Sequence, residues 1–218
     1  MRVGGHFLLT GSRLNDDVTA FVMAGGRSTR MGKDKATLDF GGLTLLEHAI
    51  ASARAVTPRV KIVGSANAFA SFGPVVEDFY RGQGPLGGIH AALRSSHTEL
   101  NLILAVDMPL LEPRLFEFLI LKARQSKAMV TVPSAAGRFQ TLCAVYCRAF
   151  AEVTESALRE GKNKIDMLFS GIEICTIKEP ELLAAGFSPL LFTNLNTPEE
   201  FERAQQARKS HAFQSDEI

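Results

Sequence analysis

The chain has 218 residues, 46% of them hydrophobic, which is enough to bury the core of one domain. The net charge is +1, with an isoelectric point near 7.8, and lacks the basic excess of proteins that hold nucleic acid through its phosphates. No apolar run approaches the roughly 20 residues of a membrane span, and residues 7–10 are too few for a secretory signal, so we expect a cytoplasmic protein without a nucleic-acid or membrane partner.

Apolar runs alternate with segments of helical periodicity along the chain, which predicts an α/β fold. We expect a single doubly wound, mostly parallel sheet with helices on both faces. Strands are predicted at residues 18–23, 59–63, 75–76, 101–106, 128–132, 142–146 and 172–177. Helices are predicted to begin near residues 44, 86, 113, 150 and 197, the first and last of them with capping boxes. Residues 134–138 are predicted to form a loop between two strands.

Domain boundaries follow from where this periodicity starts and stops. Residues 18–208 are predicted to form one domain, residues 1–17 an N-terminal extension and residues 209–218 a C-terminal tail. The three cysteines cannot all pair internally and form no metal signature. Cys143 and Cys147 are predicted on one strand, about 13 Å apart and too far for a disulfide. We expect all three cysteines to be buried thiols.

The most informative motif follows the first strand, where residues 24–35 read AGGRSTRMGKDK. Gly25 and Gly26 permit turn conformations and a close approach to a bound group. Arg30, Lys33 and Lys35 then supply a cluster of cations, which holds a triphosphate and stabilises charge that develops during its transfer. A plain strand exit with a solvated basic loop is the alternative, but the whole string favours a nucleoside triphosphate site.

Later motifs extend this pattern at residues 84–88 (GPLGG), 107–109 (DMP) and 194–198 (NLNTP). With residues 22–26, 30–32 and 34–35, they make the chain resemble the molybdenum cofactor guanylyltransferases from about residue 18 to about residue 205. The resemblance implies a Rossmann-like nucleotidyltransferase fold. It also implies transfer of GMP from GTP to molybdopterin, release of pyrophosphate, a Mg²⁺ cofactor, and other cofactor-biosynthesis or acceptor proteins as further partners.

Three alternatives stay open at this stage. A cytidylyltransferase for the same pterin and a sugar-phosphate nucleotidyltransferase share the glycine string in outline. A non-catalytic GTP-binding regulator would retain the same fold, but pure binding would not require Arg30, Lys35 and Asp107 together.

Candidate site residues come from loops that directly follow predicted strands, because ligands of open α/β sheets bind beyond the carboxyl ends of the strands. Arg30, Lys35 and Asp107 are the predicted catalytic residues. Asp107 ends the most apolar strand, where a carboxylate can hold Mg²⁺ over phosphates; a turn aspartate before Pro109 is the alternative. We expect neutralisation of Asp107 to leave the stability of the fold unchanged or to raise it, because other acids are expected nearby.

The resemblance assigns the remaining site residues. The predicted nucleotide contacts are Met23, Ala24, Gly25, Gly26, Lys35, Asp78, Gly84, Pro85, Leu86, Gly87 and Asp107. Asn194 and Asn196 are predicted near the pterin substrate. Gly64 stands where the family often has an asparagine that contacts the nucleotide, so no side-chain contact is expected there.

Other polar residues are ambiguous from sequence. His90 and His97 have no partner at metal-ligand spacing, so packing or surface roles are expected. The helix that starts near residue 86 offers an N-terminus that suits an anion. Arg138, Lys162 and Lys164 either face an anionic second substrate or form a solvated charge run.

Overall fold

A single mixed sheet of eight strands forms the centre of the molecule. The computed structural model describes residues 15–25, 35–80, 82–195, 197 and 199–202. The strands are β1 (Val18–Met23), β2 (Arg59–Val63), β3 (Val75–Val76), β4 (Leu100–Ala105), β5 (Val130–Ala135), β6 (Arg138–Phe139), β7 (Cys143–Cys147) and β8 (Ile174–Lys178). Their order is β3-β2-β1-β4-β7-β5-β6, and β8 pairs with β5.

The parallel strands β3, β2, β1 and β4 form one half of the sheet, and β1 lies between β2 and β4. Every residue of β1 is buried. Val18, Ala20 and Val22 join the core on one face, and Phe21 and Met23 join the core on the other, as the two-residue period of a strand requires. Burial on both faces explains the nearly continuous apolar sequence of this strand.

Helices cover both faces of the sheet. They are α1 (Leu45–Arg54), α2 (Ala66–Phe69), α3 (Pro85–Arg94), α4 (Pro113–Ser126), α5 (Phe150–Arg159) and α6 (Glu179–Ala184). Buried residues of α1, α4 and α6 belong to the first core, whereas those of α3 and α5 belong to the second. The predicted doubly wound, mostly parallel α/β fold is confirmed.

Both predicted capping boxes are present. The Thr44 hydroxyl accepts a hydrogen bond from the Glu47 amide at 3.2 Å, and the Glu47 carboxylate accepts one from the Thr44 amide at 2.7 Å. Thr197 and Glu200 make the same reciprocal pair at the start of the helical residues 199–202. The side chain at each N-cap thus satisfies an amide that the helix cannot.

The other half of the sheet departs from the parallel pattern, because β7 runs antiparallel to both β4 and β5. The predicted loop over residues 134–138 is wrong in this region. Strand β5 continues to Ala135, and β6 begins at Arg138 after only Ala136 and Gly137, whose φ angles are 51° and 71°. Two consecutive positive φ angles give a tight hairpin turn whose twist matches that of its strands.

The expectation of three buried thiols is also wrong. Cys143 is buried, but Cys147 and Cys175 are only half-buried. The Cys147 thiol donates a hydrogen bond to the Glu99 carboxylate at 2.6 Å, because it stands at the end of β7 beside this exposed residue. Burial raises the pKa of Cys143 far above its ordinary value and keeps it a thiol.

The last residues before β1 are tied to the domain. The amide and side chain of Asn15 each donate to the Val56 carbonyl at 2.9 Å, and Asp17 forms an ion pair with Arg124 at 2.6 Å. The remaining residues of the predicted extension and all of the predicted tail lie outside the described residues. No helix in the described part of the chain is long and apolar enough to cross a membrane.

Candidate functional site

The carboxyl ends of β1, β2 and β4 meet at one edge of the sheet, where the strand order switches direction. The Ala24 and Gly25 amides both donate to the Val63 carbonyl, at 2.9 and 3.1 Å. On the other side of β1, the Val106 amide donates to the Met23 carbonyl at 3.2 Å. The loop with the glycine motif therefore leaves the sheet between the two neighbouring strand ends, the position at which open α/β folds bind ligands.

Lys35 and Asp107 form an ion pair at this edge. The distance from Lys35 Nζ to Asp107 Oδ2 is 3.0 Å, and the two side chains are 10% and 25% exposed. Lys35 begins the short 3-10 helix Lys35–Thr37, whereas Asp107 follows β4. Two of the three predicted catalytic residues thus come together across the fold, with a carboxylate and an ammonium facing the same space.

This pairing corrects the expectation about neutralisation of Asp107. Within the described residues, the charged group paired with its carboxylate is the ammonium of Lys35. Removal of the negative charge would therefore remove an attraction to a largely buried cation, which costs stability.

The chain near Asn194 contacts the backbone of Asp107. The Leu195 amide donates to the Asp107 carbonyl at 2.9 Å, and Leu195 is buried. Asn194 is half-buried and directly precedes Leu195, the residue that bonds to the Asp107 backbone. Gly26, Arg30 and Asn196 lie outside the described residues.

Asp78 lies against the start of α3. A Cβ built on Gly87 would fall 2.5 Å from Asp78 Oδ2 and 2.9 Å from Oδ1, so the carboxylate occupies the space that a larger residue would fill. Gly87 is in the first turn of α3, which contains no acidic residue of its own. The protein's own Asp78 carboxylate therefore lies beside the first turn of α3, where the helix dipole favours a negative charge.

Two further glycines shape the loop and helix that follow. Gly84 has φ 64° and ψ −157°, a conformation that is accessible essentially to glycine alone, and it precedes Pro85 at the first position of α3. A Cβ on Gly88 would meet Met23 Cε at 2.5 Å, so this glycine lets Met23 pack between β1 and α3. Gly84 and Pro85 are exposed, whereas Leu86 and Gly87 are buried.

Gly64, at the end of β2, has no room for a larger residue. A Cβ there would lie 3.0 Å from the ring of Phe69 and 3.4 Å from the Gly25 amide nitrogen. Phe69 gave no functional signal in the sequence, yet it fills the wall behind the glycine loop.

An aromatic pair connects the Asp78 loop to α3. The rings of Tyr80 and His90 meet edge to face, with centroids 5.1 Å apart and an interplanar angle of 78°. The Tyr80 amide donates to Asp78 Oδ1 at 2.7 Å. Sequence reasoning missed Tyr80, although its position two residues after a candidate aspartate and shortly before a glycine-rich turn was a usable signal.

His90 is buried, which agrees with its expected packing role. Within the described residues neither ring nitrogen has a hydrogen-bond partner, and the nearest carboxylate, Glu155 Oε2, is 3.9 Å from Nε2. Burial lowers the pKa of His90, and this effect outweighs the opposing influence of Glu155. The ring is therefore neutral at pH 7.

The other ambiguous polar residues lie on the surface. His97, Arg138 and Lys164 are exposed, and Lys162 pairs with Glu160 at 2.6 Å. None of the described contacts joins these residues to the Lys35–Asp107 pair.

The side chains at this edge suit a metal ion that takes most of its ligands from a bound nucleotide and from water. The described part of the chain contains no group of three or more histidine, cysteine, aspartate or glutamate residues that could hold a metal ion. Among the described residues, Asp107 provides a partly exposed carboxylate just beyond the end of β4. One carboxylate suffices for Mg²⁺ when phosphate oxygens and water complete its shell.

The fold and this arrangement define a nucleotidyltransferase. A family model described as the MobA-like NTP transferase domain matches residues 20–171. A probable molybdenum cofactor guanylyltransferase of Carboxydothermus hydrogenoformans is 31% identical over 188 residues, which cover 86% of this chain and 94% of the relative. A relative of the same description from Pelotomaculum thermopropionicum is 33% identical over 190 residues, which cover 86% of this chain and 91% of the relative.

A solved structure agrees with these sequence matches. Molybdopterin-guanine dinucleotide biosynthesis protein A from Archaeoglobus fulgidus superimposes with a TM-score of 0.78 at 24% identity, and the match covers 88% of this chain and 99% of the other. The chain belongs to the MobA-like NTP transferase family. The predicted resemblance and the predicted nucleotidyltransferase class are both confirmed.

Proposed function

We propose that the protein transfers GMP from GTP to molybdopterin, with release of pyrophosphate, and so forms the guanine dinucleotide form of the molybdenum cofactor. The observation that carries the proposal is the Lys35–Asp107 pair at 3.0 Å, at the switch point of the sheet and beside the glycine loop. The names of the relatives support the choice of guanine nucleotide and pterin substrate.

The reaction requires a site that aligns the two substrates and offsets negative charge, and it does not require a general base. A terminal phosphate monoester on the second substrate is already anionic at neutral pH, so its oxygen is a competent nucleophile. That oxygen forms a bond to the α-phosphorus of GTP while the bond from this phosphorus to pyrophosphate breaks. Lys35 and Arg30 are the proposed cations on the triphosphate, where they offset the negative charge that accumulates during transfer.

Asp107 is the proposed ligand of Mg²⁺, together with phosphate oxygens of the nucleotide. Bound there, the metal would draw charge from the phosphates and orient the pyrophosphate leaving group. The chain's own contribution is the carboxylate of a residue that directly follows the end of β4 and whose backbone carbonyl accepts a hydrogen bond from the Leu195 amide.

Two segments beside the carboxyl ends of the strands are proposed to select the base of the nucleotide. Met23, Ala24, Gly25 and Gly26 are the proposed contacts from the first segment, and Asp78, Gly84, Pro85, Leu86 and Gly87 are the proposed contacts from the second. Asn194 and Asn196 are proposed to contact the pterin substrate, since Asn194 directly precedes the residue that bonds to Asp107. The domain is proposed to span residues 18–208, and the enzyme is proposed to work in the cytoplasm.

A nucleotide panel tests the proposal. The melting temperature is measured with GTP, CTP, UTP and dTTP, each with Mg²⁺, and a larger rise with GTP is expected. Pyrophosphate release with molybdopterin is then measured for the nucleotide that binds. Equal rises with all four nucleotides would contradict guanine selection, preference for CTP would favour a cytidylyltransferase, and GTP binding without transfer would favour a regulator.

A further inference from the structure

The segment from Asp78 to Tyr80 sends its side chains in different directions. The Asp78 carboxylate lies over Gly87 of α3, and the Tyr80 ring lies on His90 of the same helix. Phe79, between them, is 79% exposed. Two contacts one helical turn apart therefore hold this segment along a single face of α3, because residues 87 and 90 are neighbours on a helix surface.

The contact at His90 has features that core packing does not explain. The imidazole is 5% exposed, and within the described residues both of its nitrogens are without a hydrogen-bond partner. A buried polar ring without partners costs free energy that leucine or phenylalanine would not cost. What the ring supplies is an aromatic partner for Tyr80 in an edge-to-face arrangement, which aromatic pairs favour.

Helix α5 closes the opposite side of the aromatic pair. Glu155 lies 3.9 Å from His90 Nε2 and forms an ion pair with Arg159 one turn further along α5. Arg159 is also next to the Tyr80 phenol, and these two neighbours raise its pKa. Tyr80 thus lies against His90 of α3 and beside Arg159 of α5.

Tyr80 is joined to Asp78 itself through its amide, which donates to Asp78 Oδ1 at 2.7 Å. The Tyr80 carbonyl accepts from the Gln83 amide at 3.2 Å, just before the constrained Gly84. A displacement of Tyr80 would therefore move the carboxylate on one side and the entry to α3 on the other.

We propose that Tyr80 is a positioning residue of the nucleotide site and that His90 supports it, so that the aromatic pair fixes Asp78 over Gly87 before the nucleotide binds. The inference rests on the proposed function, in which Asp78 contacts GTP. A carboxylate that is already placed loses less freedom on binding and so binds more tightly.

The test is a double-mutant cycle on the dissociation constant of GTP with Mg²⁺, measured by calorimetry for Asp78→Ala, Tyr80→Ala and the double variant. We expect Tyr80→Ala to weaken binding about tenfold while the fold is retained. The double variant should bind like Asp78→Ala alone, because Tyr80 acts through that carboxylate. Independent losses that multiply in the double variant would overturn the proposal.

Conservative variants separate positioning from simple loss of structure. Tyr80→Phe keeps the ring contact and should bind GTP nearly as wild type does, whereas His90→Leu should reproduce the loss and His90→Phe should restore binding. Phe139→Ala is the matched control, since it removes a similar edge-to-face pair with Phe169 on the hairpin. Wild-type binding by His90→Leu would overturn the role of His90.

Two outcomes distinguish this inference from the proposed function. If wild type does not prefer GTP, the proposed function fails and this inference fails with it. If wild type prefers GTP but Tyr80→Ala binds GTP equally well, only this inference fails. If Tyr80→Ala folds poorly, Tyr80→Leu takes its place, because leucine keeps most of the side-chain volume. Hydrogen exchange of residues 77–84 should be faster in Tyr80→Leu than in wild type. Unchanged exchange would also overturn the proposal.

Discussion

Replacement of the Lys35–Asp107 pair should show that this pair serves both stability and turnover. At 3.0 Å the direct attraction is about 5 kcal/mol for an effective dielectric constant of about 20. Desolvation of the two groups offsets much of that attraction. Since a quarter of the Asp107 side chain remains exposed, we expect Asp107→Asn or Lys35→Met to lower the free energy of unfolding by about 1–3 kcal/mol, less than for a fully buried pair.

The assay is urea unfolding of wild type, both single variants and the double variant, without nucleotide or metal. The double variant should lose less than the sum of the two single variants, with a coupling of about 1–2 kcal/mol. Lys122→Met is the matched control, because Lys122 pairs with Glu181 on a more exposed surface and should cost less than about 1 kcal/mol. Higher stability of Asp107→Asn, or zero coupling, would refute the reasoning.

The same variants should differ in turnover. Lys35→Met should raise the barrier to transfer by about 2–4 kcal/mol, since the lost charge acts on the developing phosphate charge. Lys122→Met should transfer GMP at the wild-type rate. A Lys35→Met protein that melted early but kept its specific activity would show that the pair is structural only.

Three further predictions concern residues around the site. Burial lowers the pKa of His90, so as the pH falls below the ordinary value of 6.5 the imidazole becomes protonated in the unfolded chain before it does in the folded chain. Below pH 6.5 the free energy of unfolding should therefore fall by up to about 1.4 kcal/mol per pH unit. Unfolding of His90→Phe at pH 7 and pH 5.5 should lack this part of the loss, and an identical loss would refute it. Gly87→Ala should expel the Asp78 carboxylate and weaken GTP binding at least about tenfold by calorimetry, whereas Gly171→Ala, with nothing within 4 Å, should not. Thr44→Ala should lower the free energy of unfolding by about 1 kcal/mol through loss of the helix cap, with unchanged turnover; an unchanged urea midpoint would contradict this.

Much of the fold was predictable because local rules and tertiary structure agree. Strand β1 is nearly continuous in apolar residues because both of its faces are buried, and α4 begins at Pro113, as a proline at the first helical position predicts. The direction of β7 was less accessible. Strand direction depends on the length and path of the connections, and here a short hairpin makes antiparallel pairing the accessible arrangement.

The site was predictable in composition but not in its internal contacts. The motifs supplied Lys35, Asp78 and Asp107, each with a role toward a ligand. In the folded chain Lys35 and Asp107 meet each other, and Asp78 fills the space over Gly87, another predicted nucleotide contact. The first of these contacts joins segments that are far apart in sequence, and no spacing rule encodes either of them. Phe69 gave no signal in the sequence, so only its packing reveals it, whereas the position of Tyr80 between a candidate aspartate and a glycine-rich turn was a signal that could have been used.

The bond from the Leu195 amide to the Asp107 carbonyl has a consequence for biosynthesis. The segment at Leu195, which bonds to the backbone of Asp107, is synthesised long after β4, the strand that Asp107 follows. A nascent chain can therefore assemble β1, β2 and β4 on the ribosome while the catalytic edge is still incomplete. Competence for transfer should therefore arise only after Leu195 has been synthesised and has bonded to Asp107.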